Sequence, residues 1–320
     1  MKWIYEITGE GIRIWRCFSY GTQIEIPEEI EGFPVTELAP YCFSGHQNEQ
    51  ELERKLEEGS LVIRGEGDDP VLQGNRLTGV YLPARLCKIG AYAFYNCNAL
   101  EELHFYGSLS DLGAGLFTGC HHIRRLEVAL EEEETSCLQE ILMEVPEQLA
   151  VILHGKEEAQ LVFPEFFEEG VENTPARILV THTHGSGMNY RNCFYQRRFD
   201  FQAYDRCFFR AKAQENPDTV LDMVLGRLLY PRELSESGRK EYECWVWEHM
   251  ETIGMLAIQR KDGKLLQWLT EGYVLQAPES RELLKLLTDE AGALGFTEGA
   301  GYLLDMLHRN FRPERKTFAL

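Results

Sequence analysis

A short apolar phrase that occurs twice between Leu77 and Val128, 23 residues apart, constrains this sequence more than any other feature. The pairs at this offset are Ile89 and Leu112, Phe94 and Phe117, Cys97 and Cys120, Leu100 and Ile123, and Leu103 and Leu126. A fixed period with apolar positions in register is typical of repeat proteins, in which each repeat is one coil of a stack. A single coil cannot bury its own apolar face and is stable only against its neighbours. The sequence therefore predicts a stack of short coils whose outward side chains are free to bind a partner.

Each copy of the phrase reads as a short strand followed by a turn. Leu77, Val80 and Leu82 precede Pro83, which has no N–H to donate to a neighbouring strand and therefore ends the pairing. Cys97 comes where the chain turns back, and we expect it to be buried as a small apolar side chain. A period of about 20–29 residues with this pattern predicts a leucine-rich-repeat solenoid.

An earlier copy of the phrase covers residues 24–45. Its pairs with the later copy lie 51 residues apart, Leu38 with Ile89 and Phe43 with Phe94. Because 51 is two periods plus five residues, the spacing predicts one degenerate or interrupted coil between the copies. The charged filler of residues 46–75 contains Leu61–Ile63, which we expect to supply a strand of that coil.

Three strings carry a resemblance to a known family: Ile26–Ile30, Lys88–Leu100 and Leu116–Cys120. Over residues 20–130 they resemble the BspA-type leucine-rich-repeat family of bacterial proteins, above all in the phrase Ala-Phe-x-x-Cys-x-x-Leu. The resemblance implies short strands on one face of a curved solenoid and a role in binding proteins or surfaces. Such proteins are often exported and have many repeats, whereas this sequence shows about three or four coils and no export signal.

The amino-terminal residues predict a hairpin rather than a targeting segment. Trp3–Ile7 and Ile12–Phe18 read as strands that are separated by Gly9–Gly11, and we expect this hairpin to cap the stack. No long apolar run follows a basic region, as it would in a secretory signal, and no stretch approaches the roughly 18 apolar residues of a membrane helix. We therefore expect a cytoplasmic protein without a membrane partner.

The acidic residues are concentrated in the first half of the chain. Residues 1–172 contain 12 basic and 32 acidic side chains, a net charge of −20, whereas the remaining residues contain 20 of each. This change in composition predicts an acidic repeat domain with its cap at 1–172, an aromatic and arginine-rich connector at 173–212, and a helical-pair domain at 213–320.

Apolar periodicity predicts helices throughout the carboxyl-terminal part. Pro217 lies in a first turn, Pro231 follows a helix end and Ser235 opens the next helix. Leu265–Leu269 and Leu303–Leu307 match at an offset of 38, so the helix pairs are similar to ankyrin and HEAT arrays, although the ankyrin phrase Thr-Pro-Leu-His is absent. The predicted helices are 217–230, 235–250, 251–260, 263–272, 280–293 and 297–310.

The nine cysteines are odd in number and include no Cys-x-x-Cys pair. In a chain without a secretory signal this usage predicts reduced, buried thiols. A disulfide between Cys97 and Cys120, which occupy the same repeat position, is the alternative.

Two histidines form the pattern in this sequence that most resembles a metal-binding site. His182 and His184 alternate on a predicted strand and therefore project to the same side, where an imidazole pair can hold zinc. A metal site needs a third ligand, for which the sequence offers Asp200, Asp205 and His154 without choosing among them. A metal-dependent enzyme or metal-binding protein centred on this pair is one alternative function.

The connector suggests a second alternative. Arg191, Arg197 and Arg198 are interleaved with aromatic residues that include Phe199 and Tyr204. Single-stranded nucleic acid is bound by such mixtures, through phosphate neutralisation and base stacking. The charge of −20 on the amino-terminal half would repel a polyanion, so a competing interpretation is that the arginines pair with the acidic half and the aromatic residues are buried.

Together these patterns predict an α+β chain: a short leucine-rich-repeat solenoid with an amino-terminal hairpin cap, followed by an α-helical repeat-like domain. The predicted function is that of a non-catalytic protein-interaction module without a cofactor, whose acidic surface favours a basic protein partner. The outward strand positions that we expect to contact the partner are Tyr81, Glu102, His104 and Glu127.

Overall fold

The computed structural model of the chain describes residues 1–46, 49–65, 67–173 and 178–311. The strands are β1 (Lys2–Ile7), β2 (Ile12–Phe18), β3 (Gln23–Glu25), β4 (Glu29–Ile30), β5 (Phe33–Leu38), β6 (Val62–Arg64), β7 (Gly79–Tyr81), β8 (Lys88–Ile89), β9 (Glu102–Tyr106), β10 (Asp111–Leu112), β11 (Arg125–Ala129), β12 (Leu149–His154), β13 (Ala159–Phe163), β14 (Phe167–Asn173), β15 (Ile178–His184), β16 (Phe194–Tyr195) and β17 (Arg198–Phe199). The α-helices are α1 (Glu49–Glu57), α2 (Leu138–Glu144), α3 (Gly187–Arg191), α4 (Phe201–Arg206), α5 (Phe208–Gln214), α6 (Pro217–Leu229), α7 (Glu236–Glu248), α8 (Met250–Gln259), α9 (Gly263–Gly272), α10 (Ser280–Ala293) and α11 (Thr297–Asn310).

The repeats build a six-stranded sheet, here called the repeat sheet, in the order β13-β12-β11-β9-β7-β3. The strands from β3 to β12 pair in parallel, and β13 closes the series antiparallel to β12. Val80 pairs with Leu103 and Leu103 with Leu126, so the 23-residue offset is the strand register itself. All three side chains are buried.

A second sheet has the order β10-β8-β5-β2-β1-β6, with β4 paired to β5 off this path. Leu38 pairs with Ile89 and Ile89 with Leu112, again in parallel. The predicted amino-terminal hairpin is present as β1 and β2, and β2 continues the parallel series by pairing with β5. At the corners Gly90 and Gly113, one period apart, lie so close to the backbone of the preceding repeat that a Cβ atom would collide with it.

The prediction of an additional coil between the first two copies of the phrase is wrong. β5 pairs directly with β8 and β3 directly with β7, so these two repeats are neighbours in space. The intervening residues are an insertion, whose strand β6 pairs antiparallel with β1 at the far edge of the second sheet. Leu52 and Leu56 of α1 pack against the buried cluster that includes Ile4 and Trp15. The insertion thus covers the β1–β2 hairpin and does not add a coil to the stack.

Aromatic rings stack through the interior of the repeats. Phe43, Phe94 and Phe117 lie with successive ring centroids 5.5 Å apart and ring planes within 2° of parallel. The thiol of Cys97 donates to the carbonyl of Phe43 at 3.3 Å, and that of Cys120 donates to the carbonyl of Phe94 at 3.0 Å. The repeated cysteine therefore joins each repeat to the one before it.

Both repeat cysteines are free thiols, so the alternative of a disulfide between Cys97 and Cys120 is wrong. Burial raises the pKa of each thiol to about 12. A buried thiol of this kind is held in its neutral form and acts as a small apolar side chain.

The chain divides into two compact units. Unit 1 comprises Met1–Glu215 and Leu225–Leu234, and unit 2 comprises Asn216–Val224 and Ser235–Leu320. The predicted boundary at residue 172 differs from this division, because the segment predicted as a connector at 173–212 belongs to unit 1. The reason is physical: this segment is anchored by buried polar contacts, such as the Tyr204 hydroxyl, which donates to the carbonyl of Val162 at 2.6 Å.

Unit 2 is helical, as the apolar periodicity predicts. The bounds of α9, α10 and α11 agree with the prediction, and those of α6, α7 and α8 differ by one or two residues. Ser235 caps α7 by accepting a hydrogen bond from the Gly238 N–H, and Asp262 caps α9 in the same way. α10 packs against α11 and α8, while Arg260 forms ion pairs with Asp218 and Asp222 at 2.6 and 2.7 Å.

Candidate binding face of the repeat sheet

The four predicted contact residues lie on one face of the repeat sheet. Tyr81, His104 and Glu127 pair in register on β7, β9 and β11, and Glu102 lies two residues before His104 on β9. Side chains alternate between the two faces of a strand, so the residues between them are buried while these point outward. The 23-residue period therefore converts three distant positions into one continuous row.

The side chains of this row contact one another. The ring of Tyr81 stacks on the imidazole of His104, with centroids 4.0 Å apart. His104 Nδ1 lies 3.2 Å from Glu127 Oε2, and His154 Nε2 lies 3.1 Å from the same oxygen. Arg125 Nε donates to the other carboxylate oxygen of Glu127 at 2.8 Å. A single carboxylate thus organises side chains from three neighbouring strands.

The electrostatic surroundings of Glu127 act in two directions. Its partial burial would raise the pKa, but hydrogen bonds from Arg125 and His154 and the charge of His104 outweigh burial, and the pKa lies below its ordinary value. The carboxylate is therefore held in its charged form over the pH range in which most proteins work.

A concavity of ≈ 510 Å³ covers this face from β3 to β12. Of the described residues that line it, none is lysine or arginine, whereas Glu25, Glu28 and Glu127 contribute carboxylates. Tyr81 and Tyr106 add aromatic rings, and Tyr106 is exposed. Carboxylates next to exposed aromatic faces suit a cation, since the charge and the ring quadrupole both attract it.

Several of these residues were not predicted from the sequence. Tyr106 and His154 belong to the next outward row, because both strands pair with β11 at Ala129. Extending the 23-residue register by two residues along β9 would have found Tyr106. Glu25 could not be found in this way, since the insertion after β5 breaks the period between β3 and β7.

The lowered pKa of Glu127 predicts a pH-dependent contribution to stability. The carboxylate contacts stabilise the fold above the ordinary pKa of glutamate, about 4.3, and this stabilisation is lost as the pH falls through the lower pKa of the folded state. Glu127→Gln should therefore reduce the free energy of unfolding by about 1 kcal/mol at pH 7, and this difference from the unsubstituted protein should vanish in acid. Urea unfolding at both pH values measures it.

Glu53 provides the matched control for this measurement. It is exposed on α1, away from the repeat sheet, and Glu53→Gln should change the free energy of unfolding by less than about 0.5 kcal/mol at either pH. An equal loss in Glu53→Gln and Glu127→Gln, or a loss in Glu127→Gln that persists in acid, would contradict the assigned role of the carboxylate.

The metal alternative finds no support in the site geometry. His182 and His184 lie on β15 with exposed side chains, and His184 Nε2 lies 3.3 Å from Glu169 Oε2 while its ring stacks on Phe167. Across the described residues, no group of three or more potential ligand side chains is arranged to hold a metal ion. Of the suggested third ligands, Asp205 is instead bound to Arg227 and His154 to Glu127.

The nucleic-acid alternative is wrong for the residues that suggested it. Arg191, Phe199 and Tyr204 are buried and cannot present charge or rings to a nucleic acid. Arg197 pairs with Glu140 at 3.1 Å, and Arg198 pairs with Glu134 and Glu233 at 2.9 and 3.4 Å. Arg197 and Arg198 thus pair with acidic residues of the same unit, whereas Arg191 donates to backbone carbonyls and the rings of Phe199 and Tyr204 are buried.

Parallel strands stacked at a fixed period, with a row of outward side chains in register, define a repeat protein with an exposed sheet face. The comparisons with known proteins identify the repeats. Residues 69–142 match the family model described as "BspA type Leucine rich repeat region (6 copies)", and this part of the chain is a BspA-type leucine-rich-repeat region. The match ends before unit 2, so the similarity of the helices to ankyrin or HEAT arrays stays a prediction.

Among solved structures, the crystal structure of the T. pallidum leucine rich repeat protein TpLRR is similar to part of this chain. The two are 18% identical, the match covers 47% of this chain and 78% of that one, and the TM-score is 0.23. No curated protein matches the sequence. In the described part of the chain, none of the helices combines the length and the apolar character that crossing a membrane requires.

Proposed function

We propose that this chain is a non-catalytic protein-interaction module that binds an extended, basic segment of another protein on the outward face of the repeat sheet. The observation that carries the proposal is the row of Tyr81, His104 and Glu127 within a concavity whose described lining residues include carboxylates but neither lysine nor arginine. The cytoplasmic location remains a prediction.

Charge complementarity supports a basic partner. Residues 1–172 carry a net charge of −20, and Glu25 and Glu28 place exposed carboxylates at the β3 end of the concavity. Such a surface attracts a cationic segment at long range, accelerates its association and makes binding sensitive to salt. The exposed ring of Tyr106 and the carboxylate of Glu25 would receive arginine or lysine side chains.

The regular spacing of the strands supports an extended partner. Outward side chains repeat from β7 to β9 to β11 at the inter-strand distance of about 4.8 Å, and His104 contacts both Tyr81 and Glu127 along this row. In this proposal the repeats form a short solenoid, and the β1–β2 hairpin caps its amino-terminal end. A rigid row loses little conformational entropy when it binds.

Binding of designed peptides to the purified full chain tests the proposal. Three extended peptides of equal length, rich in arginine, neutral, or rich in glutamate, are titrated by fluorescence anisotropy at two salt concentrations. We expect the arginine-rich peptide alone to bind, and to bind more weakly at high salt. Glu25→Lys and Tyr81→Ala should each weaken this binding roughly tenfold, because they remove a charge and a ring from the concavity.

Glu53→Lys is the control because it makes the same change in net charge at an exposed site on α1. It should leave the affinity within about twofold of the original value. Binding that falls equally in Glu53→Lys and Glu25→Lys would show a general charge effect, and the face would not be the site. Failure of every basic peptide to bind would remove the proposed partner class.

A further inference from the structure

Two cysteines that are distant in the sequence meet in unit 1. Cys193 follows α3, Cys207 lies between α4 and α5, and their Sγ atoms are 4.0 Å apart. They are 14 positions apart in the sequence, so the pair does not form a short sequence motif. All nine cysteines of the chain are free thiols, and this pair is close enough for a side-chain rotation to bring the sulfurs to the bonding distance of about 2.05 Å.

The two thiols of the pair have unequal surroundings. Cys193 is 3% exposed, whereas Cys207 is half-buried, and Arg206 and Arg210, which are near it in the sequence, have exposed side chains. A hydrogen bond from the Cys193 thiol lowers the pKa of Cys207 to about 7, against the effect of its partial burial, and the charges of Arg210 and Arg206 add to the lowering. The same hydrogen bond, together with burial and the charge of Asp200, raises the pKa of Cys193.

The proton of Cys193 explains how the pair works together. Its thiol donates a hydrogen bond to the carbonyl oxygen of Asn189, 3.3 Å from the sulfur, when Cys207 is neutral. When Cys207 ionises, rotation of the S–H bond turns this proton towards the new thiolate. The buried thiol thus stabilises the charged form of its accessible neighbour.

The other cysteines show that these surroundings are particular to the pair. Burial raises the pKa of Cys17, Cys97 and Cys137 to about 12, which keeps each as an unreactive thiol. Cys244 is exposed, and its thiol donates to a carboxylate oxygen of Glu248 at 3.4 Å. Reactive cysteines need both access and positive surroundings, and Cys207 has both.

We propose that Cys207 and Cys193 form a site of reversible oxidation by hydroperoxides, with Cys207 as the nucleophile and Cys193 as the resolving thiol. The Cys207 thiolate attacks one oxygen of hydrogen peroxide, the O–O bond breaks, and after protonation the products are a sulfenic acid and water. The Cys193 sulfur then attacks the Cys207 sulfur and expels the hydroxyl group, which leaves as water with the proton of the Cys193 thiol. Two thiols and one peroxide therefore give one disulfide and two waters.

This site is independent of the proposed binding face, since it uses none of the residues of the repeat sheet. A disulfide would close a loop that contains the β16–β17 hairpin and α4. Such a cross-link restricts the unfolded chain, so the oxidised protein should unfold at a higher temperature than the reduced protein.

Peptide mapping of the oxidised full chain tests the proposal directly. The reduced protein is treated with hydrogen peroxide, unfolded in the presence of an alkylating agent, digested and analysed by mass spectrometry. We expect a cross-linked pair of peptides that contain Cys193 and Cys207, with the other seven cysteines alkylated. The proposal would be overturned if the folded protein reacted first at Cys244, or if no disulfide formed between Cys193 and Cys207.

Rates and variants assign the two roles. At pH 7 the folded protein should react with iodoacetamide at Cys207 about fivefold faster than at Cys244, because the lowered pKa of Cys207 gives it a large thiolate fraction, which outweighs the lower nucleophilicity of such a thiolate. In Cys193→Ser the sulfenic acid of Cys207 should persist and be trapped by dimedone. In Cys207→Ser no peroxide product should form at Cys193. Equal rates at Cys207 and Cys244, or trapping at Cys193 in Cys207→Ser, would contradict the assignment.

Discussion

Replacing Phe94 with alanine should lower the free energy of unfolding by about 3–5 kcal/mol, one of the two largest effects that we expect for this chain. The ring is fully buried and lies between Phe43 and Phe117, with both centroids 5.5 Å away. The substitution removes the transfer free energy of a large apolar side chain, leaves a cavity inside the stack and ends two ring contacts at once. Guanidinium unfolding followed by circular dichroism measures the loss.

Phe33→Ala is the matched control. It is the same chemical change, but it is made on β5 at a side chain that is 46% exposed. We expect it to cost less than about 1 kcal/mol. If Phe94→Ala reduced the free energy of unfolding no more than Phe33→Ala, the stacked rings of Phe43, Phe94 and Phe117 would not be what holds successive repeats together.

The repeat period is sufficient to predict the outward row of the repeat sheet, because register and period are the same quantity in parallel repeats. Residues 23 positions apart occupy the same place on neighbouring strands, so Tyr81, His104 and Glu127 had to lie in one row. Alternation along each strand then placed Glu102 on the same side as His104. Neither step needs any contact beyond the repeat, which is why sequence alone was enough.

The repeat period does not predict the structure of the residues that leave the stack. An offset of 51 between Phe43 and Phe94 is compatible with a missing coil and with an insertion, because both add residues without changing the apolar phrase. Only the pairing of β5 with β8 distinguishes them, and it selects the insertion. Val62–Arg64 has a strand-like sequence in both cases, but its partner strand β1 is set by tertiary packing.

The contacts of residues 173–212 are hidden from the sequence for a related reason. Its arginines have the same local sequence signature whether they face solvent, a nucleic acid or the protein interior. Arg227 forms a bidentate pair with Asp205 at 2.7 and 2.9 Å, a contact across 22 residues that no local pattern records. The pair of Cys193 and Cys207 escapes notice in the same way, since neither cysteine belongs to a motif.

Arg191 gives the second large prediction. Its side chain is 0% exposed, and its guanidinium donates to backbone carbonyls of Leu142, Val145 and Glu147 at 2.8 Å and also to the carbonyl of Pro164. Burial lowers its pKa to about 10, so it remains charged at neutral pH. One side chain thus satisfies the carbonyls at the end of α2 and after β13.

Arg191→Met should lower the free energy of unfolding by about 4 kcal/mol, measured by the same guanidinium unfolding. Methionine retains much of the volume, so the loss reports mainly on four carbonyl groups that are left buried without donors. Arg191→Lys should recover only a small part, because an ammonium group cannot reach acceptors on several sides as the planar guanidinium does.

The control, Arg197→Ala, separates this role from the general effect of removing a positive charge from the segment. Arg197 is partly exposed and pairs with Glu140 at 3.1 Å, so its loss should cost less than about 1 kcal/mol. A cost for Arg191→Met as small as that of Arg197→Ala would mean that water replaces the guanidinium at the four carbonyls. The anchoring of residues 187–191 would then have to be assigned to their other contacts, such as the packing of the Tyr190 ring on the Tyr204 ring, whose centroids lie 4.7 Å apart.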